Sequence, residues 1–173
     1  MANSAGHIEL TSLEFARLIQ FAAQKFYKML LNKTQINKIL FYSYGVYLAE
    51  TKGNRLFTDD TPKAWPFGPV FPRVYKKINT DEPVNSFPAE LVDAFQKNQK
   101  ALSIIENAVI QMHDMSAYDL TKWSHEEGSP WYLTIYNVDK EGNIISQNPW
   151  NSRIEDSVIR DYFSKPENRF KSN

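Results

Sequence analysis

The sequence predicts a mainly α fold, a single compact multi-helix domain with a small β-hairpin. Three observations predict it. Apolar residues recur three and four apart behind capping signals in several segments, which is the period of a helix with one buried face. Only the stretch 55–65 breaks into short apolar runs around a turn, the pattern of a hairpin. The length, 173 residues, suits one domain, and a chain of this size can bury roughly 70% of its unfolded surface without a disulfide staple.

The elements follow in order. Residues 1–10 read as a flexible leader. Thr11-Ser12-Leu13-Glu14 is a capping box, and Phe15, Leu18, Ile19, Ala22, Phe26, Met29 and Leu30 continue it as an amphipathic helix over 12–31. Asn32 or Thr34 caps a second helix over 35–49, with Gly53 just past its end. That helix is apolar on nearly all sides, so it belongs at the centre. Gly45 inside it costs about 1 kcal/mol against Ala, which implies close approach by another element.

Arg55-Leu56-Phe57 and Lys63-Ala64-Trp65 form the predicted hairpin, or else a pair of short strands, with Asp59 and Asp60 as solvated turn residues. Pro69 or Pro72 opens a short helix carrying Val70, Phe71, Val74, Tyr75 and Ile78. A polar loop covers 79–88. Helices follow over 90–97 and through Ala101, Ile104, Ile105, Ala108, Val109 and Met112, with His113 set against the helix dipole. Ser116-Ala117-Tyr118-Asp119 caps another segment through Leu120, Trp123 and Ser124. Gly128-Ser129-Pro130-Trp131 restarts a helical turn. Residues 137–151 read as an exposed loop, and Ser152-Arg153-Ile154-Glu155 caps a last helix through Phe163. The domain thus spans 11–165, and 166–173 is a tail expected to fray.

Composition excludes several functions. There is no cysteine, so thiolate catalysis, zinc fingers and iron–sulfur clusters fall away. The N-terminal residues lack the basic start and apolar stretch of a secretory signal, and no run of about 18 apolar residues suggests a membrane span. A cytoplasmic protein without membrane insertion is expected. Twenty basic residues balance twenty acidic ones, so no nucleic-acid partner is expected. Such a reading would need Lys25, Lys28, Lys33, Lys38, Arg73, Lys76 and Lys77 on one face.

Catalytic signatures are also missing. There is no Gly-x-Ser-x-Gly elbow, no phosphate loop and no metal-ligand spacing. No cofactor, metal or catalytic residue is expected, and the protein reads as a non-enzyme. The alternative enzyme reading would use His125 with Glu126 or Glu127. The plainer reading of His125 is a ring bonded to backbone at a helix end. The aromatic residues Phe41, Tyr42, Tyr44, Tyr47, Trp65, Phe67, Phe71 and Tyr75 are mostly core by expectation, yet a small domain cannot hide them all, and aromatics anchor interfaces.

Two segments carry a resemblance. The first runs Ile36-Asn37-Lys38-Ile39-Leu40-Phe41-Tyr42-Ser43-Tyr44-Gly45-Val46-Tyr47-Leu48, then Leu56-Phe57, then Ala64-Trp65-Pro66-Phe67-Gly68-Pro69-Val70. The second is Leu120-Thr121-Lys122-Trp123-Ser124-His125-Glu126-Glu127 with Pro130-Trp131. In order and spacing these resemble the Panacea, or SocA-like, antitoxin domain, a family also described as phage-associated and GepA-like. Pro66-Phe67 stands where one aromatic usually precedes the Gly, and Ser124 replaces the usual Thr.

The resemblance implies the antitoxin of a type II-like toxin–antitoxin pair. It would neutralise a cognate protein toxin, encoded next door, by direct protein–protein binding. An adaptor role, delivering a partner to a AAA+ protease, is the alternative the family carries. The hairpin and the Gly68–Pro72 corner would present rigid backbone at low entropic cost. The partner-binding surface or its support is expected at Trp65, Phe67, Phe71, Tyr75, His125 and Trp131.

Overall fold

The computed structural model describes residues 8–171. The leader expected over 1–10 therefore lies outside the described residues up to His7. Helix α1 (Ser12–Tyr27) starts at the predicted capping box, with the Thr11 hydroxyl accepting from the Glu14 N–H and the Glu14 carboxylate accepting from the Thr11 N–H. It stops four residues before the predicted 31. Lys28 turns left-handed (φ 54°) and the Met29 N–H bonds back to the Ala23 carbonyl. Phe26 and Leu30, which extend the apolar spacing, are 61% and 66% exposed and do not face the core.

Helix α2 (Lys33–Glu50) is capped by Asn32 and lies at the centre, buried from Ile36 through Val46. Around it pack α1, the short α3 (Pro72–Lys77), α5 (Gln99–Met112), α6 (Ala117–Ser124) and α8 (Asp156–Phe163). Helix α4 (Ala89–Lys97) leans on α5, and α7 (Pro130–Ile135) joins α8 to the strands. The fold is mainly α, as the periodicity predicts.

Gly45 has its expected reason. A Cβ there would run into the Phe163 ring of α8 and lie 3.0 Å from the Ile159 Cγ2. Gly45→Ala is therefore expected to destabilise the protein by about 1–3 kcal/mol through overpacking, although Ala gains about 1 kcal/mol of helix propensity. A chemical-denaturation midpoint equal to or above wild type would show that the α2–α8 contact is looser than this.

The strands depart from the reading of the sequence in three ways. The pattern pairs 55–57 with 63–65; instead β1 (Lys63–Trp65) pairs with β2 (Gly68–Val70) across the turn Pro66-Phe67, with Trp65 opposite Gly68. Leu56 and Phe57 are taken into the core. Pro69 is tolerated because β2 is an edge strand, hydrogen-bonded to β1 alone.

Ser152 does not cap the last helix but belongs to β5 (Ser152–Arg153), paired to the other edge of β1. The flanking Asn151 and Ile154 N–H groups satisfy the Ala64 and Pro62 carbonyls. Residues 137–151 are not all loop. They contain most of a second hairpin, β3 (Tyr136–Val138) and β4 (Ile144–Gln147). Its strands are largely exposed on both faces, so no apolar alternation announces them.

Asp59 and Asp60 are not merely solvated. Asp59 accepts from the Ser12 N–H and hydroxyl at 2.8 Å each and pairs with Arg73. Asp60 accepts from the Arg73 and Val74 N–H groups at the start of α3, whose own cap residue, Phe71, has no side-chain acceptor. The tail expected to fray from Pro166 packs back on the domain. The Arg169 guanidinium donates to the Phe163 carbonyl, and Phe170 docks on Tyr42 and Trp123.

Candidate functional site

Three helices clamp the β1–β2 turn. From α2, Asn37 accepts from the Phe71 N–H at 3.0 Å and donates to the Lys33 carbonyl. Beside it, Lys38 is 1% exposed and its ammonium donates to the Pro69 carbonyl at 3.0 Å. From α7, the Trp131 indole N–H donates to the Trp65 carbonyl at 2.7 Å. From α6, Ser124 closes on Gly68: a Cβ at Gly68 would lie 2.5 Å from the Ser124 Oγ and 2.9 Å from the Lys38 Cε. Gly68 is also left-handed (φ +109°), so no other residue suits it.

The electrostatics are unusual. No carboxylate pairs with Lys38 among the described residues, and burial pulls its pKa down from 10.5 to about 7. A buried ammonium with one carbonyl partner is costly, and shedding the proton is the cheaper state. The His125 ring stacks on Trp131 at 3.8 Å and 19°. Its pKa is lowered by burial and then by the nearby Lys38 charge, both of which disfavour the imidazolium. Its Nε2 is buried without a hydrogen-bond partner in the protein.

The predicted residues divide. Phe67 sits at the tip of the turn and is 72% exposed. Tyr75 is at the edge of exposure, 5.3 Å from the half-buried Trp65, with the Lys33 ammonium over its ring. Trp65 also donates its indole N–H to Asn151. His125 is half-buried. Phe71 and Trp131 are buried: Phe71 packs on Tyr44 and Phe57 in the core, and Trp131 lies beneath the turn. Phe67, Tyr75 and the edge of Trp65 thus face solvent, with Trp131 and His125 packed behind them. No carboxylate bonds the His125 ring, and Glu126 and Glu127 are exposed.

Asn37, Lys38 and Ser124 carry the clamp with Gly68 and Trp131, and the residue pattern points to Gly68 and Trp131 but to none of the other three as site residues. Lys38 appears in it within the first resembling segment and as a member of a hypothetical basic face, which its burial rules out. A signal was present: two polar residues inside a helix apolar all round need partners inside the fold.

Residues 36–132, which include the whole clamp, match the family described as "Antitoxin SocA-like, Panacea domain". The match covers more than half of the chain, and the chain belongs to this antitoxin family. Among curated relatives, Antitoxin SocA of Caulobacter vibrioides (strain NA1000 / CB15N) is 28% identical over 143 residues, 74% of this chain and 69% of that protein. No solved structure matches the chain. Among the described residues, no helix is long and apolar enough to cross a membrane.

Proposed function

We propose that this chain is the antitoxin of a type II-like pair and neutralises a cognate protein toxin in the cytoplasm by direct binding, without catalysis of its own. The observation that carries the reading is Phe67, 72% exposed at the tip of a turn whose underside is fixed by Lys38, Gly68 and Trp131. A rigid exposed aromatic loses little entropy on docking, the property that makes an interface anchor. Trp65 and Tyr75 extend the surface, while Phe71, His125 and Trp131 hold it in place. Family membership and the resemblance to Antitoxin SocA support the antitoxin role.

The test is co-expression with the product of the neighbouring gene, scoring growth and then co-purification. Restored growth and a stable complex support the reading. A harmless neighbour, or a toxic one neither rescued nor bound, refutes it. A rescue in which the toxin disappears only in protease-proficient cells assigns the adaptor role instead. Within a stable complex, Phe67→Ala is expected to cost at least about 2 kcal/mol of binding with an unchanged melting temperature. Unaltered affinity would move the contact elsewhere.

A further inference from the structure

We propose that the apolar cleft between α1, α4 and α5 is a pairing surface for a second copy of this chain. The cleft holds about 420 Å³ and is lined mainly by Phe21, Phe26, Val92 and Leu102, with Lys25 on the α1 side and Glu106 on the α5 side. The apolar surface continues past it. Phe26 is 61% exposed and Leu30 66% on the α1 side, and Ile110, one turn beyond Glu106, is 52% exposed. Monomeric proteins seldom leave so many large apolar side chains together in water.

Charge selects the occupant. The Lys25 ammonium rests over the Phe21 and Phe26 rings at 5.4 and 5.7 Å. Neither Lys25 nor Glu106 makes an ion pair among the described residues. The face therefore carries one free positive and one free negative charge on opposite walls of a trough. It also carries its own ridge, Phe26 and Leu30. A patch with ridge, trough and both charges is complementary to itself under a two-fold axis, where every contact occurs twice. Phe26 of one copy enters the trough of the other, and Lys25 of each meets Glu106 of its mate. The chain has zero formal net charge, so no overall repulsion opposes pairing.

The pairing surface shares no residue with the hairpin corner, so it does not rest on the antitoxin reading. One copy can hold its twin and a toxin at the same time.

Sedimentation equilibrium of the purified full chain tests this across a concentration series. The expected mass is twice that of one chain. Phe26→Asp, at an exposed position, should give a monomer with an unchanged circular-dichroism spectrum, its melt independent of concentration where that of the wild type is not. Lys25→Glu and Glu106→Lys should each weaken the dimer about tenfold or more through like-charge contact, and the two together should restore it. A wild-type chain that stays monomeric overturns the proposal, and loss of toxin binding in its Phe26→Asp variant would then assign the cleft to a helix of the toxin. A dimer indifferent to Phe26→Asp, or a double reversal that fails to recover, overturns it as well.

Discussion

Lys38→Met is expected to stabilise the protein by about 1–4 kcal/mol at pH 6, the range seen when buried charge gives way to apolar side chains of similar volume. The gain should vanish or reverse near pH 10. The sign follows from where the proton sits. In the fold the Lys38 pKa is about 7, against 10.5 for the free side chain. Between those values the unfolded chain holds a proton that the native state lacks, so wild-type stability rises with pH across that window. Below about 7 both states are protonated and the full cost of the buried charge is present. Met has no such slope.

At high pH the balance changes. A neutral Lys38 amine still donates to the Pro69 carbonyl at 3.0 Å, whereas Met leaves that carbonyl without its donor, a cost of about 1–3 kcal/mol. Urea unfolding of both proteins at a series of pH values measures the difference directly, since all other titrating groups are shared. A difference that does not change with pH would show that Lys38 is neither desolvated nor shifted. The same variant should raise the pKa of His125, whose downward shift is due first to burial and second to the Lys38 charge. The C2–H resonance of His125 reports it.

The helical scaffold was readable because helices advertise themselves twice, by period and by caps. Thr11–Glu14 and Ser116–Asp119 mark α1 and α6 where the structure puts them. Gly45 announced a close approach, and only the identity of the neighbour, Phe163, needed coordinates. The strands were harder to read for a physical reason. β1, β2 and β5 are two or three residues long, too short for alternation to show. β5 also joins β1 from nearly ninety positions away along the chain.

At the site, Phe67 and Trp65 were legible as aromatics beside a Gly-Pro corner. The clamp under them was not, because it joins residues 30 or more positions apart: Lys38 to Pro69, Asn37 to Phe71 and Trp131 to Trp65. No local spacing encodes such contacts. The Gly-Pro-Val segment and the later His with Pro-Trp, which carry the family resemblance, meet around one turn in the structure. Gly68 and Pro69 lie against Lys38 and Ser124, and His125 stacks on Trp131.

Gly68→Ala is expected to be the most damaging single methyl in the molecule. Two costs add at this position. A left-handed φ of +109° strains any residue with a Cβ by about 1–3 kcal/mol. The new methyl also meets the Ser124 Oγ at 2.5 Å and the Lys38 Cε at 2.9 Å, an overpacking term of about 1–3 kcal/mol more. Gly45→Ala bears only the second kind of cost. The two terms of Gly68→Ala can be separated. Ser124→Ala removes the oxygen in the way but leaves φ unchanged, so the double variant should lose less than the sum of the singles, with a coupling of about 0.5–3 kcal/mol. The residual loss is the backbone strain together with the overlap that remains at the Lys38 Cε. The displaced turn should also carry Phe67 away from its fixed position, so toxin affinity should fall in the single variant and recover in part in the double. Additive stabilities, or a Gly68→Ala protein as stable as wild type, would mean that the turn is not held between α2 and α6. Phe67 would then be a mobile side chain on a soft loop, without the rigidity that the binding role requires.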